Sequence, residues 1–270
     1  NLFLHFALLL QANYFHISNN FYSQRKKMGF SQKIKTFLDK VLDIVFPSNF
    51  KCILCNRDLP QDDMIFCEEC MKENIFNDGN RCFTCDTQIK EGNIVCDHCK
   101  KEKRYFKKCV CPLNYEKLVR KAVLKFKSDN AKYLTKPFAK LIYQRLNEEK
   151  IDFDLIVPVP SHAKTIKKRG YNPAKLLADE LAVLTHKPCI EVLTKTVLTE
   201  NQKNLDYKHR QENLKDSITL AVDKSIIKNK KVLLVDDVIT TCATINICAS
   251  LLNSAKEVYA CAVARNQLRD

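Results

Sequence analysis

The chain has 270 residues, with 45 basic and 31 acidic side chains, 14 cysteines, four glycines and no tryptophan. At 46% hydrophobic and 28% charged its composition is that of an ordinary globular protein, which excludes wholesale disorder. The longest strictly apolar run near the start, Phe6 to Leu10, is far short of the roughly 20 residues that span a bilayer, so a membrane-spanning reading is set aside.

The net charge of +14 invites a nucleic-acid partner, because clustered basic groups attract phosphates. Lysine outnumbers arginine by 35 to 10, however. Lysines solvate a surface, whereas base reading and bidentate phosphate recognition favour arginine, so charge alone does not establish such a site.

Along the chain, residues 1–27 read as an extension outside the native fold. They carry an apolar patch with no basic residue before it and no small-residue cleavage site, and Met28-Gly29-Phe30 begins a cleaner pattern. Within 28–47, Ile34, Phe37, Leu38, Val41, Leu42 and Val45 recur at three and four, which predicts an amphipathic helix from Ser31 to Phe46 stopped by Pro47.

Residues 48–112 form a cysteine-rich region, and after Pro112 the texture changes. Tyr115 to Phe126 and Pro137 to Asn147 predict helices. Phe153–Val159 predicts a buried strand, Pro173–Leu184 a helix, and Ile190–Leu193 a short strand. Lys231–Asp236 predicts a strand, Thr244–Leu252 a helix, and Val258–Ala264 a final strand. Short apolar strands alternating with helices make residues 113–270 an α/β domain, a parallel sheet covered on both faces.

Eight of the cysteines fall as Cys52/Cys55, Cys67/Cys70, Cys82/Cys85 and Cys96/Cys99. A C-x-x-C knuckle lets two thiolates reach one zinc, and two knuckles complete a tetrahedral site, so eight ligands predict two structural zinc ions. Spacing leaves open whether the knuckles pair sequentially or interleave. Paired C-x-x-C spacing in place of a disulfide scaffold also points to a reducing compartment, the cytoplasm. A closed four-thiolate site keeps no open position for water, so the zinc is expected to be scaffold or docking surface. Cys109 and Cys111 have the wrong spacing to join it.

The richest segment is Lys231-Val-Leu-Leu-Val-Asp-Asp-Val-Ile-Thr-Thr-Cys-Ala-Thr244. A buried strand ends in Asp236-Asp237, and Thr240, Thr241 and Thr244 line the entry to a helix. Ligands of open parallel sheets bind beyond the carboxyl ends of strands. Carboxylates there accept hydrogen bonds from ribose hydroxyls, and threonine hydroxyls with free N–H groups at a helix start attract a phosphate. The acidic strand end also resembles the second acidic motif of P-loop ATPases. With only Gly29, Gly79, Gly92 and Gly170 in the chain, neither G-x-x-x-x-G-K-[ST] nor G-x-G-x-x-G is present.

Asp236-Asp237-Val-x-Thr240-Thr241 resembles the phosphoribosyl diphosphate (PRPP) motif of type I phosphoribosyltransferases. Asp154-Leu-Ile-Val-Pro-Val-Pro160, Lys168-Arg-Gly-Tyr-Asn172, Thr199-x-x-Gln202-x-x-Leu205 and Arg210-x-x-Asn213 narrow the resemblance to the ComF family of competence and DNA-utilisation proteins. The cysteine pairs ahead of the domain fit the same pattern, and the resemblance runs from about Lys51 to Arg265.

It implies a type I phosphoribosyltransferase-like parallel sheet flanked by helices and preceded by a small zinc-ribbon domain. It also implies that Asp236 and Asp237 serve catalysis by binding the ribose hydroxyls of PRPP. Thr240, Thr241, Cys242, Ala243 and Thr244 would hold the 5-phosphate, with Pro158, Val159, Pro160 and Ser161 near the diphosphate and magnesium bridging diphosphate and ribose. Arg169 to Asn172 and Thr199 to Arg210 would cover the site. The transition state in such folds resembles an oxocarbenium ion, so the protein positions and neutralises without a side-chain nucleophile.

This chain departs from the family where glycine follows the two threonines and Cys242 stands instead. A left-handed backbone there costs a non-glycine residue roughly 1 to 2 kcal/mol, and the side chain is expected to crowd the phosphate cradle. A thiol at that helix start is also expected to have a lowered pKa. Asn229 and Ser254-Ala255 replace two further family glycines.

The resulting expectation is PRPP binding, with transfer of a phosphoribosyl group to a nitrogenous acceptor, in association with competence or DNA-handling proteins. The alternative is a non-catalytic zinc-ribbon adaptor that binds nucleotide or nucleic acid. For the latter, Lys100 to Lys108 interleaves positive charge with Tyr105 and Phe106, as single-strand stacking platforms do.

Overall fold

The computed structural model describes residues 51–60, 64–128, 131–196 and 217–267. The extension 1–27, the helix expected at 31–46 and the polar stretch from Thr199 to Asn213 lie outside those residues. Two compact units divide the chain, 1–67 and 68–270.

In the second unit two short helices, α1 (Glu68–Lys72) and α2 (Asp97–Lys101), each begin directly after the first cysteine of a pair. Strands β1 (Lys108–Val110) and β2 (Leu113–Asn114) follow. Helix α3 (Lys117–Ser128) buries Val119, Ala122, Val123 and Phe126, the stripe its three-four spacing predicts. Helix α4 (Thr135–Glu148) buries Phe138, Leu141, Ile142 and Leu146.

Strand β3 (Leu155–Pro158) is wholly buried. The short helix α5 (Ala163–Arg169) starts at a His162 cap and stops at Gly170, whose φ of 82° only glycine adopts without strain. Asn172 caps α6 (Pro173–Thr185), its side chain accepting from the Ala174 amide, with Pro173 at the first helical position where its missing N–H costs nothing. A hairpin of β4 (Leu193–Lys195) and β5 (Ile218–Leu220) precedes β6 (Lys231–Ile239), α7 (Ala243–Leu251) and β7 (Glu257–Arg265).

The main sheet is parallel throughout. Strands β1 and β2 pair with β7, β7 with β6, and β6 with β3. Because side chains alternate across a strand, Leu155, Val157, Val232, Leu234, Ala260 and Ala262 form one core with Ile245 and Cys248 of α7 and with Leu252 at its end. The intervening residues face the side covered by α4 and α6.

Two boundaries differ from the sequence pattern. The expected strand Ile190–Leu193 does not join the sheet as a ladder. Ile156 bonds only to the Pro188 carbonyl and the Ile190 amide, and extended pairing starts at Leu193 in the hairpin. Pro188 has no N–H to extend a ladder. Strand β6 also runs past Asp236, because Val238 and Ile239 stay in register with Ala264 and Arg265.

Candidate ligand site and metal centres

The knuckles pair sequentially. The sulfurs of Cys52, Cys55, Cys67 and Cys70 lie within 4.8 Å of one another, and so do those of Cys82, Cys85, Cys96 and Cys99. Tetrahedral zinc with bonds near 2.3 Å needs sulfurs roughly 3.8 Å apart. Cys55 and Cys67 are separated by 3.5 Å, and Cys85 and Cys96 by 3.6 Å. The donor set is all sulfur and the spacing fits, so both groups suit zinc.

Each group is built from the same local turn. After the first knuckle Asn56 takes φ 68° and donates its amide to Cys52; after the third, Asp86 takes φ 61° and donates to Cys82. Asn and Asp are the side chains that tolerate this left-handed turn. The Cys96 amide further donates to Cys82 Sγ at 3.3 Å, which aims that sulfur at the centre of its group. Cys109 and Cys111 stay outside both groups as buried residues around β1, their sulfurs 4.0 Å apart.

The acidic pair sits near the carboxyl end of β6, one residue on each face of the sheet. The Asp237 amide donates to Asp236 Oδ1 at 2.8 Å. Asp237 is buried, and its Oδ1 meets the Lys127 ammonium of α3 at 2.7 Å. Burial works against the charge of Lys127, but the Asp237 carboxylate outweighs it and raises the lysine's pKa. Burial, then the neighbouring charge of Asp237, pushes Asp236 up to about 7.

Just beyond, Thr240 is exposed and Thr241, Ala243 and Thr244 are half-exposed, so the turn between β6 and α7 presents both hydroxyls and amides to solvent. No side chain caps α7; the Ala243 amide meets Thr241 Oγ1 only at 3.4 Å. These are the groups an anion at a helix start would use. Pro158 of β3 lies in register with Val235, and the Val159 amide donates to the Val235 carbonyl, which brings residues 158–161 alongside the acidic pair. Asn172 pins that loop, donating to the Val159 carbonyl at 3.0 Å and accepting from Ser161 Oγ at 3.0 Å. Arg169, half-buried, ends α5 directly before Gly170, which hands over to Tyr171 and Asn172.

Cys242 takes φ 66° and ψ 6°, the left-handed conformation that the family glycine permits. The sulfur does not crowd the cradle. It is buried in the same core as Cys85. The neighbouring Cys85, and then burial, hold the Cys242 thiol well above its usual pKa, which corrects the expected lowering at a helix start. Asn229 likewise takes φ 59°, while Ser254 and Ala255 need no positive φ.

Residues 130–268 match the phosphoribosyl transferase domain family. Competence protein F of Haemophilus influenzae is 30% identical over 225 residues, which are 80% of this chain and 97% of that protein. The chain belongs to the ComF family. DNA utilization protein YhgH of Escherichia coli is 23% identical over 207 residues, 74% of this chain and 89% of that one. Among solved structures, the glutamine PRPP amidotransferase from B. subtilis, complexed with ADP and GMP, is similar at a TM-score of 0.36 and 16% identity, over 51% of this chain and 30% of that chain.

Three residues of this ComF chain escaped the motif reading. Lys127 lies far from the acidic pair in sequence, and as one of four lysines and an arginine on α3 nothing in the sequence singles it out. Lys195 of the hairpin approaches Asp236 and is half-buried, and burial lowers its pKa. Arg265, fully buried at the end of β7, donates to the Ile239 and Thr240 carbonyls on one side and to the Cys85 carbonyl on the other. A lone arginine after an apolar strand carries no such message. Of the two aromatics in the basic stretch, Tyr105 is exposed but Phe106 is buried, which removes half of the stacking platform. No helix among the described residues is long and apolar enough to cross a membrane.

Proposed function

We propose that the chain binds the magnesium complex of PRPP at the carboxyl edge of β6 and transfers its phosphoribosyl group to a nitrogenous acceptor. The observation that carries this reading is the turn itself. A buried parallel strand delivers two carboxylates, and a left-handed residue then opens an uncapped helix flanked by threonines, beside the 158–161 loop of the neighbouring strand. Carboxylates and a helix-start anion site, one strand-end apart, match the two ends of a ribose 5-phosphate.

In this reading Asp236 and Asp237 accept hydrogen bonds from the ribose hydroxyls, and Thr240, Thr241, Thr244 and the amides of Cys242 and Ala243 receive the 5-phosphate. The diphosphate lies by Pro158, Val159, Pro160 and Ser161, with Arg169 at its margin. Departure of the diphosphate leaves positive charge on the ribose ring, which two adjacent carboxylates stabilise. Lys127 keeps the pair from repelling itself when no ligand is bound. Relatives named for competence and DNA utilization support placing this activity in DNA handling. The two zinc groups are scaffold for the same task.

Calorimetric titration of PRPP with magnesium into the zinc-loaded chain tests the reading. Saturable binding is expected, weakened about 10- to 100-fold in Asp237→Asn, the loss of a charged hydrogen-bond acceptor. Absence of saturable binding overturns the proposal.

A further inference from the structure

We infer that the second four-cysteine module is a positioning element for the turn at Ile239–Thr244: metal held by Cys82, Cys85, Cys96 and Cys99 fixes that turn through Arg265 and Asn246. Its consequence for activity rests on the reading of this turn as the phosphate site, but the mechanical coupling stands apart from it.

Two residues carry the inference. Arg265 Nε donates to the Cys85 carbonyl at 2.9 Å, and its Nη2 approaches Cys85 Sγ at 3.8 Å. The same guanidinium donates from Nη1 to the Ile239 carbonyl at 3.0 Å and to the Thr240 carbonyl. A planar fork with five donors in fixed directions therefore spans knuckle and turn without slack. Finally Asn246, whose amide donates to the Cys242 carbonyl one turn into α7, grips the segment after α2. Its Oδ1 accepts from the Tyr105 amide at 2.9 Å, and its Nδ2 donates to the Lys103 carbonyl at 3.0 Å.

Groups that hydrogen-bond to metal-bound ligands orient those ligands, and their loss typically costs 10- to 100-fold in metal affinity. The linkage is reciprocal: whatever holds the turn also holds the knuckle.

Hydrogen exchange on the full chain carrying two zinc ions reads the turn directly. Cys99→Ser, which removes a ligand of the second group, is expected to speed exchange in peptides covering residues 239–248 by about tenfold. Cys67→Ser, which removes a ligand of the first group, is expected to leave them unchanged. Should Cys99→Ser fail to fold, stepwise withdrawal of zinc from the unsubstituted chain by a chelator decides the matter, with the release of one zinc and faster exchange over 239–248 expected to coincide. Wild-type exchange over 239–248 after loss of the second zinc overturns the inference. Coupling without PRPP binding would leave this inference intact and remove the ligand reading; PRPP binding without coupling would do the reverse.

Discussion

The two cysteine modules share a local design but differ in their surroundings. Both place a C-x-x-C knuckle before a left-handed Asn or Asp and gather four sulfurs within 4.8 Å. In the first, Asn56 is exposed. In the second, Asp86 is buried, with Oδ2 accepting from Asn77 and from the Cys111 amide at 2.7 Å and Oδ1 paired with Arg81 at 3.1 Å. The metal-binding pattern is therefore generic. What distinguishes the modules is whether the residues around the metal ligands are tied to something else, and in the second they reach β1, β7 and the candidate ligand turn.

The largest expected effect separates the modules at equivalent positions. Asp86→Ala orphans the buried Cys111 amide and leaves Arg81 with Glu149 as its one carboxylate, and should cost about 3 to 5 kcal/mol in denaturant unfolding. Asn56→Ala, at an exposed site, should cost only the left-handed preference, about 1 kcal/mol. Equal losses would mean that the two modules are built into the fold to the same degree.

A smaller effect tests the turn that the second module braces. The Asp236 carboxyl has a pKa of about 7 in the folded chain against 3.8 as its ordinary value. A carboxyl raised on folding gives stability that is complete below its unfolded pKa and is lost as pH rises through its folded one. Stability should therefore fall between pH 5 and pH 8 by on the order of 2 kcal/mol, and Asp236→Asn should remove that share of the slope. Thermal melts across this range check it, and an unchanged slope in the variant would show that Asp236 is not the group responsible.

The smallest effect concerns the first module again. Asn56→Gly keeps the turn and removes the left-handed strain, so a change within about 0.5 kcal/mol is expected, read as a shift in denaturant midpoint. A loss of several kcal/mol would mean that the Asn56 side chain matters as Asp86 does.

Much of the candidate site was legible because its signals are local. Knuckle spacing, the apolar run into Asp236-Asp237 and the threonines after it are read within a few residues of one another. The helices α3 and α6 followed from periodicity and from Asn172-Pro173. Strand limits were less legible: the pairing of Val238 and Ile239 with Ala264 and Arg265 extends β6 beyond its acidic pair. Cys242 shows both sides of this limit. Its left-handed backbone was expected from the position it occupies, but the direction of its sulfur was not.

By itself, then, the sequence determined the family, the eight thiolates and the order of carboxylates, hydroxyls and helix start, since each depends on neighbours along the chain. Only the tertiary structure decided which knuckles come together, that Lys127 meets Asp237, and that Arg265 joins the Cys85 carbonyl to the turn after β6. Arg265 and Cys85 are 180 positions apart. A hydrogen bond over such a separation is set by which faces of the sheet are packed together, and no spacing in the sequence encodes it.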